Sequence, residues 1–124
     1  MAIQNPGKII VLDEIKNQVV NARVLGTQDV QGGSEFGGYS TANQAISLVS
    51  QNPASAGLEL ENQVTFNIST TEGPTSGGNF PISIQGIRLF DASNNILFET
   101  MFSNPFTYSE AGTFTLTQYN ISVD

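Results

Sequence analysis

The chain contains no cysteine, no histidine and no tryptophan. Without thiols there is no disulfide framework, and without thiolates or imidazoles the usual zinc-ligand sets cannot be assembled. Histidine is the usual general base near neutral pH, so a Ser-His-Asp or Cys-His machine is out of reach. Positive charge is also scarce. Lys8, Lys16, Arg23 and Arg88 face eleven carboxylates, for a net charge of -7, and three of the four lie in the first quarter of the chain. Phosphate backbones and anionic membrane surfaces both need clustered Lys and Arg. Neither nucleic acid nor a membrane is therefore an expected partner. No apolar run approaches the roughly 20 residues of a membrane span.

What is present suits one β-rich domain. The 124 residues fit a single core, and 39% are hydrophobic. Only 12% are charged, well below the usual quarter. Asn, Gln, Ser and Thr fill the gap and exceed a third of the chain. Such a surface is hydroxyl-rich and weakly charged, a composition common in β-rich extracellular and virion proteins. The opening residues 1–8 lack the layout of a secretory signal. The expectation is synthesis and folding in a cytoplasm, or export only as part of an assembly.

Along the chain, residues 1–7 are polar and close on Pro6-Gly7, which reads as a loose arm. Lys8-Ile9-Ile10-Val11-Leu12 is a near-continuous apolar run that suits a strand covered on both faces. Residues 13–20 read two ways. Asp13 caps a short helix with Ile15 and Val19 on one face, or the segment leads into a strand over residues 20–25. Residues 26–39 read as a loop punctuated by Gly32-Gly33 and Gly37-Gly38, residues 44–49 as a strand, and 51–57 as a second loop. Over residues 58–68, Leu58, Leu60, Val64, Phe66 and Ile68 share one parity, the mark of a strand with one buried face that Asn62 interrupts. Residues 69–80 form a third loop.

The last third carries the clearest signals. Gly86-Ile87-Arg88-Leu89-Phe90-Asp91 and Ile96-Leu97-Phe98-Glu99 flank a polar Ala92-Ser93-Asn94-Asn95 turn, a hairpin pattern. Apolar parity slips between Ile84 and Ile87, so a bulge or bend is predicted near Gly86. A second slip falls between Leu116 and Tyr119, ahead of a final strand over 119–124. In the segment 101–108, Pro105 implies an edge strand or a loop.

Candidate chemistry is sparse. Glu59 and Glu61 project from one strand face and could in principle serve as a glycosidase pair, but alternation already explains both as solvated glutamates. Asp91-Ala92-Ser93-Asn94-Asn95 begins like a calcium loop, yet Ile96 and Phe102 stand where Gly and Glu belong, so it reads as a turn. The sequons Asn67-Ile68-Ser69 and Asn120-Ile121-Ser122 lie in predicted strands and read as chance matches. No catalytic residue, metal ligand or cofactor site is assigned. Candidate partner-binding residues form two groups. Ile3, Pro6, Lys8, Ile9 and Val11 come from the arm; Phe102, Phe106 and Tyr108 either pack in a two-sheet core with the other phenylalanines of the second half or form an exposed apolar patch for a partner.

From Gly38 onward the order of features resembles a family of small structural proteins of tailed bacteriophages, of the head-decoration or tail-fibre-like type. The residues that carry the resemblance are Gly38-Tyr39, Ala45-Ile46-Ser47-Leu48, Glu61-Asn62-Gln63-Val64-Thr65-Phe66, Gly86 to Ala92, Ile96-Leu97-Phe98, Ala111-Gly112-Thr113-Phe114 and Asn120 to Asp124. The first forty residues and a longer loop over 70–81 depart from that pattern. The resemblance implies a β-sandwich and a place in a virion, on the outer surface of the capsid.

The resulting expectation is an all-β fold, an antiparallel β-sandwich of jelly-roll or immunoglobulin-like type, with at most one short helix. Residues 1–12 form an arm and first strand, and 13–124 a single domain. The expected role is a non-enzymatic capsid decoration, or cement, protein that binds the major capsid protein and stabilises the head. Edge strands and three-fold lattice positions suggest a homotrimer. The apolar run of the arm is covered either by the protein's own core or by a neighbouring chain, to whose edge the arm would add a strand. Alternatives are a tail or fibre component and a carbohydrate-binding β-sandwich.

Overall fold

A helix, not a strand, opens the chain. In the computed structural model, which describes residues 2–29, 36–70 and 79–123, α1 spans Asn5–Gln18. Pro6 sits in its first turn, where a missing N–H costs no hydrogen bond. The Lys8 N–H donates to the Gln4 carbonyl at 2.9 Å to close the first turn. Lys16 lies in the last turn, where its charge offsets the helix dipole, and it pairs with Asp13 at 3.4 Å. The expected first strand over residues 8–12 is therefore helical, and the helix is longer than the short one anticipated over 13–20. A four-residue apolar run has no period of its own. Wound into a helix, it sends Leu12 into the core at 1% exposure and Ile10 into solvent at 71%.

Among the described residues the remaining regular structure is antiparallel β, apart from one 3-10 turn over Ala54–Ala56. The largest sheet has the order β2-β1-β7-β8, with β3 also pairing β1. Its strands are β1 (Asn21–Asp29), β2 (Phe36–Ser40), β3 (Gln44–Ala45), β7 (Asn79–Phe90) and β8 (Ile96–Tyr108). A second sheet has the order β10-β5-β4, from β4 (Leu48–Ser50), β5 (Leu58–Leu60) and β10 (Asn120–Ile121). The third is β6 (Val64–Ile68) beside β9 (Gly112–Leu116). Leu12 and residues from all three sheets meet in one apolar cluster centred on Phe66, Leu58, Ile68 and the isoleucines of β7.

The bulge predicted near Gly86 is present. Leu25 and Gly26 of β1 face Gly86 and Ile84, which leaves Gln85 as the extra residue of β7. The insertion reverses the side-chain parity, so Ile82, Ile84, Ile87 and Leu89 are all 0% exposed. Opposite the same point β8 bulges further. Between the pairs Gly86–Met101 and Ile84–Phe106, residues 102–105 of β8 stand against Gln85 alone. Pro105 thus sits in an edge strand, one of the two settings its lack of a donor allows. The predicted hairpin is formed by β7 and β8, and residues 117–119 break the chain between β9 and β10 as anticipated.

Other expectations change. Much of the loop expected over 26–39 is strand, because β1 continues to Asp29 and β2 begins at Phe36. The rest of that loop, and residues 71–78 of the next, lie outside the described residues. The strand expected over 44–49 is split into β3 and β4. The alternating segment 58–68 is also split, with β5 and β6 in different sheets. Its parity survives: Val64, Phe66 and Ile68 are buried, Thr65 and Asn67 exposed. The final strand shrinks to two residues.

Between β3 and β2, the edge of β1 is completed by Thr41. Its N–H donates to the Val24 carbonyl at 3.0 Å, and its Oγ1 accepts the Val24 N–H at 3.1 Å. Thr41 is 2% exposed, and these two bonds satisfy a stretch of backbone that no strand covers.

Candidate docking surface

The candidate residues fall into two places. On α1, Leu12, Ile15 and Lys16 turn toward the body of the protein, and the Lys16 ammonium also donates to Ser50 Oγ on β4 at 3.3 Å. Residues three and four apart share a helix face, so Gly7, Ile10 and Glu14 form a stripe roughly opposite Leu12, and Ile3, just before the helix, lies against Gly7. Val11 flanks the stripe. Ile3 is 38% and Val11 39% exposed. Pro6 is exposed, and Lys8 and Ile9 are half-buried beside the body. Among the described residues Lys8 makes no ion pair. The arm residues are therefore not an extended strand reaching outward. Ile3, Pro6 and Val11 are exposed while Lys8 and Ile9 turn toward the body, and the most exposed large hydrophobic of the helix, Ile10, is one that the sequence pattern did not single out.

The aromatic candidates lie where β8 approaches β9. Phe102 stacks on Phe114 with ring centroids 5.6 Å apart, and Phe106 contacts both at 5.9 and 5.7 Å. Tyr108 donates its hydroxyl to the Thr113 carbonyl at 2.9 Å, and burial pushes that hydroxyl's pKa up. The structure thus brings Phe102, Phe106 and Tyr108 together, with Phe114 as a fourth member. Phe102 and Tyr108 are half-buried, whereas Phe106 is half-exposed. The bulge over residues 102–105 sets this arrangement, because it lets Phe102 and Phe106 meet one ring.

The same strand exposes Ile96, Leu97 and Met101. Leu97 and Phe98 join Glu14, Ile15 and Gln18 of α1 around an open, mostly apolar groove. This link between helix and hairpin is invisible in the sequence, since a 79-residue separation (97 minus 18) carries no local signal.

Polar groups are spent on structure. Asp91 Oδ1 accepts the N–H groups of Ser93 and Asn95 at 2.9 and 2.8 Å, and Oδ2 accepts Asn95 Nδ2 at 3.0 Å. The Asn95 side chain, and then its backbone, hold the Asp91 carboxyl below the usual carboxylate range. The segment is a capped turn, with Asn94 at φ 62°. Arg88 pairs with Glu99 across the β7–β8 ladder. Arg23 hydrogen-bonds Asn43 and lies 4.9 Å from the Phe90 ring centre. Glu59 and Glu61 do not share a strand, because β5 ends at Leu60. Both are exposed. Among the described residues no three acidic side chains gather as a metal site, and no helix is long and apolar enough to cross a membrane.

Compared with protein-family models, with curated proteins and with solved structures, the chain has no match.

Proposed function

We propose that this protein is a non-enzymatic docking protein of a bacteriophage virion, a capsid decoration protein that seats on the outer surface of the major capsid protein lattice. The observation that carries the docking role is Ile10, 71% exposed on the outward face of α1 and flanked by Ile3 and Val11. Fully burying an aliphatic side chain contributes about 1.5–3 kcal/mol, so three together make a useful anchor. Lys8, which makes no ion pair among the described residues, adds at most about 1 kcal/mol at the rim. The virion setting rests on the resemblance of the β-rich segment from Gly38 onward. We infer a two-layer β-sandwich from the single core that the three sheets share.

Ile10→Asp places a charge in this face without touching the core. Purified particles lacking the protein are incubated with each form, and bound copies are counted. The expected result is saturable binding in many copies per particle, lost in Ile10→Asp while its thermal melt is unchanged. Full occupancy by the variant would remove α1 as the anchor. Binding of a few copies at one vertex would point to a tail component instead.

A further inference from the structure

We propose that β8 pairs antiparallel with β8 of a second copy of this chain, about a two-fold axis at Thr100. Three observations lead there. First, β8 is an edge. It bonds β7 on one side, and among the described residues no strand or loop hydrogen-bonds its backbone on the other. Second, the edge is not blunted. Between Ile96 and Phe102 there is no proline and no lysine, the devices that usually protect such strands. Third, the only charge there, Glu99, is already paired with Arg88 on the adjacent strand. A chain of net charge -7 can approach a copy of itself along such a seam.

The side chains select the register. Residues directly opposite in a continued sheet share a face. An axis at Glu99 would set two carboxylates against each other, which disfavours that pairing. An axis at Met101 runs the pairing into the bulge and Pro105. With the axis at Thr100, Glu99 meets Met101 of the copy, and Phe98 meets Phe102 of the copy, each twice by symmetry. The ladder then closes at Phe102, where the bulge begins. Each carboxylate keeps its own Arg88 on one side and gains a thioether on the other. Met101 is 56% exposed in the single chain, and this pairing covers it. The contact is isologous and produces a dimer. A trimer would need a different contact.

Because the chain has no cysteine, one substitution reads out the axis. Directly opposed residues in an antiparallel pair have Cα atoms about 4.5–5.5 Å apart, within disulfide range. Thr100→Cys should form a covalent dimer under mild oxidation. Ser103→Cys, whose two copies would lie about 20 Å apart along the strands, should not. Equal cross-linking of both, or of neither, overturns the register. Sedimentation equilibrium on the unaltered chain supplies the independent arm, with thermal melts confirming that each variant is folded. A dimer is expected, weakened tenfold or more by Met101→Glu and preserved by Met101→Lys, since residue 101 faces Glu99 of the copy. A monomer at about millimolar concentration, a trimer, or a dimer indifferent to both variants overturns the pairing. None of these readouts depends on particle binding.

Discussion

Gly86 lies directly beneath Met101: a Cβ at position 86 would stand 2.8 Å from the Met101 sulfur and 2.7 Å from the Thr100 carbonyl oxygen. Sulfur can swing aside, but a backbone carbonyl in a ladder cannot do so without moving β8. Gly26 is constrained in the same way by the Ser83 carbonyl on the other side of β7. The bulge at Gln85 thus has a glycine next to it on β7 and another across the ladder on β1.

Gly86→Ala should therefore destabilise the fold by about 1–3 kcal/mol, the usual range for overpacking. Gly38→Ala is the control, since nothing lies within 4 Å of its added Cβ. It should stay within about 0.5 kcal/mol of the parent. Urea unfolding of the two variants measures both.

Much of this was legible in the residues. The parity change between Ile84 and Ile87 located the bulge, and the Asp91 turn located the hairpin. These signals are local: they need only alternation and turn chemistry. The helix at the start is not legible, because Ile9-Ile10-Val11-Leu12 has no polar residue to reveal a period. Phe106 was legible only through the alternative to core packing, an exposed aromatic patch beside a proline. Ile10 was not, since its exposure follows from the helix that the run concealed. The meeting of Leu97 and Phe98 with α1 depends on tertiary packing alone.

Thr41→Val should cost about 1–3 kcal/mol, because it removes the acceptor for a Val24 N–H that sits at a buried edge. Thr41→Ser keeps an oxygen in place and should retain most of that stability. Amide exchange at Val24 is the specific reading. It should accelerate in the valine variant and remain slow in the serine variant.

The Asp91 cap makes a pH-dependent contribution. Its carboxyl is depressed in the folded protein by hydrogen bonds that the unfolded chain lacks. The contribution is fully present above the unfolded value near 3.8 and is lost as pH falls through the lower folded value. Thermal melts of the parent and Asp91→Ala should differ most near neutral pH, with the parent higher. The gap should narrow below about pH 4. A gap that is constant down to about pH 2 would mean the carboxylate is not the source.

The sharpest test of the amino-terminal segment compares adjacent apolar residues. If residues 8–12 formed a strand covered on both faces, Ile10 and Leu12 would share one buried face and both be costly to remove. In α1 they point in nearly opposite directions, Leu12 at 1% exposure and Ile10 at 71%. Leu12→Ala should therefore destabilise by about 2–5 kcal/mol through the transfer and cavity terms of a core leucine. Ile10→Ala should be neutral or slightly stabilising, because alanine has the higher helix propensity by a few tenths of a kcal/mol and little buried surface is lost. Ile9, half-buried on the flank, should fall between them. Denaturant unfolding of the three variants separates the cases by rank order alone. Equal losses at positions 10 and 12 would restore the strand reading and with it an arm that pairs with a neighbour. The predicted order, with Ile10 least costly, leaves that isoleucine free for a surface outside the fold.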